Sequence, residues 1–334
     1  MKNKKLILTM LMIITIIITT STISAHDDTN THEVELEKSV QKSIDVQEKS
    51  LKQDDETVDV TSYEELYNTI STANAQSKNK TINLHDGNYN ITQDIDIKGV
   101  RKAITITING NNNIINGNNQ KSFISIQKSN TLIVNNLTIT NTQSNRANAI
   151  RNLGNCILNN ITIKDTYSMY NNSSSGGAIY NTGLMNIDNC KFINNTLDAI
   201  TFGGAAIYNS NNLTITDSTF ENNTSSDGSA IYCLNSKNTL IQNCLFKNNT
   251  ANSSTIYNLN SNISVENSIF ESNNGEYPIG YLLEKGQMDL LNCQITNHSS
   301  NKGLIYNNGR IIIKNSSISE NNVNRSLFYN NNLL

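Results

Sequence analysis

Short apolar/polar alternations of period two run through most of the chain, and they recur as near-copies. The clearest copies are GGAIYNTGLMNIDNCKFINNT (176–196), GAAIYNSNNLTITDSTFENNT (204–224), GSAIYCLNSKNTLIQNCLFKNNT (228–250), SSTIYNLNSNISVENSIFESNN (253–274) and KGLIYNNGRIIIKNSSISENN (302–322). PIGYLLEKGQMDLLNCQITNHS (278–299) is a degenerate copy, and ANAIRNLGNCILNNITIKDT (147–166) and SFISIQKSNTLIVNNLTITNT (122–142) lie upstream. Tyr180, Tyr208, Tyr232, Tyr257, Tyr281, Tyr306 and Tyr329 are 28, 24, 25, 24, 25 and 23 residues apart, which sets the period. Each copy holds three strand-like runs, at Ala-Ile-Tyr, Leu-x-Ile and Cys/Ser-x-Phe, separated by Asn-rich turns. No half of the repeat has helical spacing, which argues against a leucine-rich repeat. Three strands per repeat, stacked in register, predict an all-β, right-handed, single-stranded parallel β-helix over residues 79–334.

The period of two also separates inside from outside. Ile187, Ile215, Ile241, Val265, Leu290 and Ile313 should face in, as should Phe192, Phe220, Phe246, Phe270, Ile295 and Ile318. Two residues before that second set, Cys190, Ser218, Cys244, Ser268, Cys293 and Ser316 should face in as small fillers. Coils about 4.8 Å apart place Cys190 two coils from Cys244, and Cys244 two coils from Cys293, beyond disulfide reach. Asn195, Asn223, Asn249, Asn274, His298 and Asn322 form an expected ladder at the turn after the aromatic.

Ahead of the repeats, Ser62-Tyr63-Glu64-Glu65 is a capping box, followed by Leu66, Tyr67, Ile70 and Ala73 at helical spacing. A short helix within 61–78 should therefore cap the first coil, whose edge would otherwise be an open template. Residues 26–60 are polar and charge-rich and are expected to be a flexible spacer. Lys2, Lys4 and Lys5, the apolar run Leu6–Ile18 and Ser24-Ala25 have the form of a secretory signal over 1–25. An uncleaved membrane anchor is the alternative, against which the shortness of the run speaks. Apart from that segment no membrane span is expected.

Asn occurs 61 times, against 16 Gly, one Pro (Pro278) and no Trp. Asn tolerates left-handed backbone almost as well as Gly, so it can turn the chain at every corner. The net charge of −3 does not suggest nucleic acid as a partner. Several Asn-x-Ser/Thr sequons occur, among them those at Asn136, Asn160, Asn212 and Asn222.

GGAI (176–179) with FINN (192–195), and FENN, FKNN and FESN after it, resemble the repeat of polymorphic outer-membrane proteins and autotransporter adhesins. The opening, with SYEELYNTI (62–70), TINLHDGNYNI (81–91) and ITITINGNNNIING (104–117), is similar to the adhesin-like β-helix proteins of methanogenic archaea. The resemblance covers residues 60–334 and implies a secreted or cell-surface adhesin-like protein that binds glycans or proteins of host or neighbouring cells. A polysaccharide lyase or glycoside hydrolase of the same fold, and a structural cell-envelope protein, are the alternatives. No catalytic residue, metal ligand or cofactor site stands out. Asp188 and Asp217, from neighbouring coils, are the nearest approach to a catalytic pair, and nothing basic accompanies them. Arg151 and Ser125 occupy the tyrosine position in other coils, so Tyr180, Tyr208, Tyr232, Tyr257, Tyr281 and Tyr306 are expected to face out as a column on which sugars or a partner protein could bind. The final coil, beginning at Ser326-Leu327-Phe328-Tyr329, carries no capping element, and association through that end is expected.

Overall fold

In the computed structural model, residues 56–144, 149–170, 175–199 and 203–331 are described. The chain divides into two units, Met1–Lys52 and Gln53–Leu334, and all described residues belong to the second. The expected leader (1–25) and most of the expected spacer lie outside the described residues.

The first described strand, β1 (Glu56–Ser62), runs parallel to β2 (Lys80–Asn90). It overturns the expectation that the spacer extends to residue 60. Val60 is buried and Val58 half-buried, Thr57, Asp59 and Thr61 form the exposed outer row, and Glu56 stands exposed at the start of the inner row. Glu56 pairs with Lys80, and Asp59 accepts a hydrogen bond from Asn83 Nδ2 (2.8 Å). The charges that suggest a spacer are thus the solvent side of a strand.

Between β1 and β2 lies α1 (Tyr63–Gln76). Ser62 is its N-cap, accepting from Glu65 N, and the Glu65 carboxylate reaches back to Thr61 N (2.7 Å). Tyr63, Leu66, Ile70 and Ala73 are buried in the same core as Ile82, Ile97 and Ile106, so α1 covers the first coil. Tyr63 Oη donates to Gln93 O (2.7 Å) and Asn74 Nδ2 to Asp96 O (2.6 Å), which tie the helix down.

From β2 onward the chain winds as a right-handed parallel β-helix. The tyrosine face holds ten consecutive strands from Ile95–Ile97 to Phe328–Asn330, paired residue for residue, as in Tyr180↔Tyr208↔Tyr232↔Tyr257. The leucine face (Leu184–Asp188, Leu213–Thr216 and their equivalents) and the phenylalanine face (Lys191–Ile193, Thr219–Glu221 and theirs) join in one 18-stranded sheet. They are continuous because upstream strands such as Thr131–Thr140 and Asn155–Lys164 run through the corner between them. A shorter fourth ladder follows the phenylalanine face, through Tyr167–Tyr170, Thr196–Ala199, Thr224–Ser225 and Thr250–Ala251.

The corners belong to asparagine. Of the 25 non-glycine residues with positive φ, 18 are Asn, and no described glycine has positive φ. Asn136, Asn160, Asn189, Asp217, Asn243 and Asn267 turn successive coils from the leucine to the phenylalanine face, each as a single left-handed residue. Glycine serves close approach instead: a Cβ on Gly183 would lie 2.0 Å from Gly154 O of the coil above.

The interior is apolar and columnar. Phe192, Phe220, Phe246 and Phe270 stack at centroid distances of 4.9, 5.0 and 4.7 Å. All five cysteines are free and buried. Burial pushes the Cys190 and Cys244 thiols up to about 12, so they are fillers rather than nucleophiles. Cys190 N donates to Ser218 Oγ and Cys244 N to Ser268 Oγ (both 3.0 Å), so Cys and Ser alternate in one hydrogen-bonded column. Burial fades in the last described coil, where Ile311, Ile313, Ile318 and Val323 are only partly covered.

Phe220→Ala, which removes one ring from the middle of the stack, should lower unfolding free energy by about 3–5 kcal/mol in denaturant titration. Cys244→Ser, which places serine where Ser218 and Ser268 already stand, should cost under about 1 kcal/mol, and reducing agent should leave the melting temperature of the native chain unchanged.

Candidate binding face and the inner ladders

In each Ile-Tyr-Asn strand the period of two turns Ile and Asn inward and Tyr out of the coil, and register stacks the rings. Centroids are 4.8 Å apart for Tyr180–Tyr208, 5.7 Å for Tyr208–Tyr232, 4.9 Å for Tyr232–Tyr257, 5.1 Å for Tyr257–Tyr281 and 4.4 Å for Tyr281–Tyr306. Ring planes deviate from parallel by 2–11°. The column continues to Tyr329, and the Arg151 guanidinium sits 5.8 Å from the Tyr180 centroid at its upstream end.

This arrangement corrects the expectation of an open aromatic platform. Tyr208, Tyr232 and Tyr257 are exposed by only 3, 0 and 6 %, and Tyr180, Tyr281 and Tyr306 are half-buried. Each ring face lies against the next ring, and Leu234, Leu259 and Leu283 pack alongside. Tyr277 adds an edge-on ring against Tyr281 and Tyr306. Sugars dock on the face of an aromatic ring, and these faces are occupied, so only edges and hydroxyls of the half-buried members reach solvent. Burial also holds the Tyr232 and Tyr257 phenols well above their usual pKa, so they stay neutral. Each stacked pair contributes about 0.5–1.5 kcal/mol beyond area burial, which makes the column a stiffener of the tyrosine face.

Asp188 and Asp217 are not convergent. Asp188 aligns with Thr216, whose hydroxyl donates to it, while Asp217 is a left-handed corner residue accepting from Asn243 Nδ2 (3.0 Å). Both carboxylates serve coil-to-coil hydrogen bonds. Among the described residues no three His, Cys, Asp or Glu side chains come together as a metal site, and no helix is long and apolar enough to cross a membrane.

The ladder after the aromatic is present, with a shift of one residue in two coils. Asn195 Nδ2 donates to Asn223 Oδ1 (3.0 Å), Asn223 Nδ2 to Asn249 Oδ1 and Asn249 Nδ2 to Asn273 Oδ1 (both 2.9 Å). The members in the later coils are therefore Asn273 and Asn321, not Asn274 and Asn322. The inward residue is always the third after the core aromatic or its Ile equivalent. Asn274 instead bridges Thr250 and Ser299 in the fourth ladder, the place threonine holds elsewhere. A second inner ladder, which period counting alone does not reveal, runs along the tyrosine face: Asn152 Nδ2 donates to Asn181 Oδ1 (2.8 Å) and Asn181 Nδ2 to Asn209 Oδ1 (2.7 Å). The signal for it is the Asn that follows Arg151, Tyr180 and Tyr208 in successive coils. The sequon at Asn222 has the same origin: a left-handed Asn, an inward Asn and a Thr that opens the fourth ladder spell Asn-Asn-Thr.

His298 replaces asparagine in the first ladder and reproduces its two backbone contacts. Asn273 uses Oδ1 to accept from Asn249 N (2.9 Å) and Nδ2 to donate to Phe246 O (2.8 Å). His298 places Nδ1 3.1 Å from Asn273 N and Nε2 3.2 Å from Phe270 O, the same acceptor and donor if the imidazole is neutral with its proton on Nε2. Burial lowers its pKa below the ordinary 6.5.

A right handed beta helix region family model matches residues 107–270 and 199–323, which together exceed half of the chain. Among solved structures, ORF18 of Geobacillus virus E2 is similar at 14% identity and a TM-score of 0.45, with 92% of this chain and 63% of that one covered. This chain therefore spans less than two thirds of that protein. No curated protein matches.

Protonating His298 would put a hydrogen on Nδ1, ending its acceptance from Asn273 N and leaving Asn273 O, also 3.1 Å away, as its partner. The folded state prefers the neutral ring, so His298's contribution to stability is full above about pH 6.5 and shrinks as pH falls from there through the depressed folded value. His298→Asn restores the amide of the other coils and should remove that part of the acid sensitivity, read as a smaller loss of unfolding free energy between pH 7 and 5 than in the native chain.

Proposed function

From the premise that the chain belongs to the right-handed beta helix family, we propose that it is a secreted, adhesin-like repeat protein that acts as a stiff rod and catalyses no reaction. It presents its outer surface to glycans or proteins of host or neighbouring cells. One observation carries this reading: residues that recur at equivalent positions are engaged with their own copies in the next coil. The inner Asn amides, the Tyr rings, Asp188 and Asp217 all bond or stack along the axis. Such residues build length and rigidity. Ten strands about 4.8 Å apart on the tyrosine face give a rod of about 45 Å. Family membership leaves activity open, because β-helices include enzymes and non-enzymes alike. Partner contact on the tyrosine face falls to the edges of Tyr180, Tyr281 and Tyr306, since the middle of the column is covered.

A structural envelope protein is the second reading, favoured by the burial of Tyr208, Tyr232 and Tyr257.

Three assays on the purified protein separate the readings. A panel of polysaccharides should show no cleavage, whereas cleavage that disappears in Asp188→Ala or Asp217→Ala would replace the adhesin with an enzyme. A glycan array and a whole-cell binding assay should each give saturable binding. Two blanks would leave the envelope role.

A further inference from the structure

Charge is distributed unevenly along the solenoid. From Ile97 through Lys164 the chain contains no Asp or Glu, yet it has eight Lys and Arg; from Asp165 through Ser300 it has eleven acidic residues and four Lys. The stretch 97–164 is therefore cationic and the stretch 165–300 anionic, although the whole chain carries only −3.

The cations converge at one corner. Lys98, Arg101 and Lys102 lie on the turn between the tyrosine and leucine faces of the first coil, and Lys128 lies on the same turn one coil on, where Gln127 N donates to Ile97 O (2.9 Å). Lys78 follows the left-handed cap of α1 beside them. All five side chains are exposed, and none is in an ion pair among the described residues. The nearest carboxylate on the adjoining strand, Asp96, accepts from Gln127 Nε2 (2.9 Å), and Asp94 lies two residues further back.

The loop is held rather than loose. Lys98 N donates to Asn74 Oδ1 (3.0 Å), Val100 N to Asn74 O (3.2 Å) and Arg101 N to Ser77 Oγ (2.7 Å), which fasten it to the end of α1. Ala73 O and Asn74 O near the end of α1 accept from backbone N–H groups (Lys78 N to the first, Ser77 N and Val100 N to the second), so these two carbonyls are satisfied without the side-chain cations. At the tip is Val100, 67% exposed, more than any other large apolar residue among those described. A fixed loop that offers an aliphatic side chain ringed by lysine and arginine suits an anionic bilayer: the cations meet lipid headgroups while the tip enters the interfacial region. A soluble acidic polymer would use the charges but gives no reason for Val100.

We propose that the corner formed by Lys78, Lys98, Val100, Arg101, Lys102 and Lys128 is a docking surface for an anionic lipid bilayer. It lies several coils upstream of the tyrosine column, which begins at Tyr180, and does not depend on the role proposed for that column.

The chain has no tryptophan, so Val100→Trp gives a reporter at the tip itself. Vesicles of phosphatidylglycerol and phosphatidylcholine should shift its emission to the blue, and brominated acyl chains should quench it. Phosphatidylcholine vesicles alone should do neither. Each cation near an anionic surface contributes about fivefold to partitioning, so K98Q/R101Q/K102Q in the same background should weaken the response on the order of a hundredfold. An unchanged melting temperature shows that the variants are folded. Water-like, unquenched emission with anionic vesicles would overturn the proposal, even if the protein sediments with them, because binding through residues 1–25 would leave the tip dry of lipid. A response to polygalacturonate but not to vesicles would overturn it in favour of a soluble acidic polymer.

Discussion

Strands of successive coils in a parallel β-helix lie about 4.8 Å apart, so each side chain meets its own equivalent above and below. That spacing admits few residues. A ring fits because stacked aromatics tolerate about 5 Å between centroids, as in the phenylalanine column inside and the tyrosine column outside. An amide fits because it donates at one end and accepts at the other, so Asn195, Asn223 and Asn249 satisfy one another without water. A carboxylate repeated in every coil would repel its copies, and Asp188 and Asp217 accordingly stand beside a hydroxyl and an amide rather than other carboxylates.

The same spacing explains why so much of the fold is legible in the sequence. Period two along a strand and a 23–28-residue period along the chain fix which residues face in and which ones stack. The Phe column, the Cys/Ser column and the helix cap at Ser62 follow from those two periods. What the periods do not carry is what covers an outward residue. Tyr232 is outside the coil by alternation and wholly buried by its neighbours, and no one-dimensional pattern separates those conditions. Register at a corner is similarly fragile. Asn273 and Asn274 are adjacent and chemically identical, and only the count from Phe270 decides which one enters the ladder. β1 was hidden for a different reason: the outer row of one short strand is as polar as a linker, and only Val58 and Val60 mark the inner row.

Net charge is a poor guide in a solenoid because the molecule is nearly one-dimensional. In a compact domain, opposite charges far apart in sequence often meet. Here sequence position is axial position, so a stretch without carboxylates becomes a cationic segment of the rod. Much of the cancellation that yields −3 over the whole chain takes place between coils at different heights along the rod, which meet, among the described residues, only where Lys164 stands beside Asp165 (3.7 Å).

Repetition constrains where specific chemistry can reside. A residue that must match its neighbours cannot also be shaped for a ligand, so the informative positions are those where the ladders are interrupted. His298 breaks the asparagine ladder yet keeps its contacts to the backbone at Asn273 N and Phe270 O, which adds a proton-sensitive joint. Cys233 ends the run of inner amides that reaches Asn209, and Asn209 turns its amide to the Thr239 hydroxyl (3.1 Å). Arg151 ends the tyrosine column by laying a cation over Tyr180, at the boundary between the cationic coils and the aromatic ones. The Lys98–Lys102 turn is bound to α1 and not to a copy of itself above, and it is the first coil's corner that is free of the matching rule on that side. Capping the solenoid with a helix therefore does more than protect an edge: it releases one turn from the constraint that fixes all the turns after it.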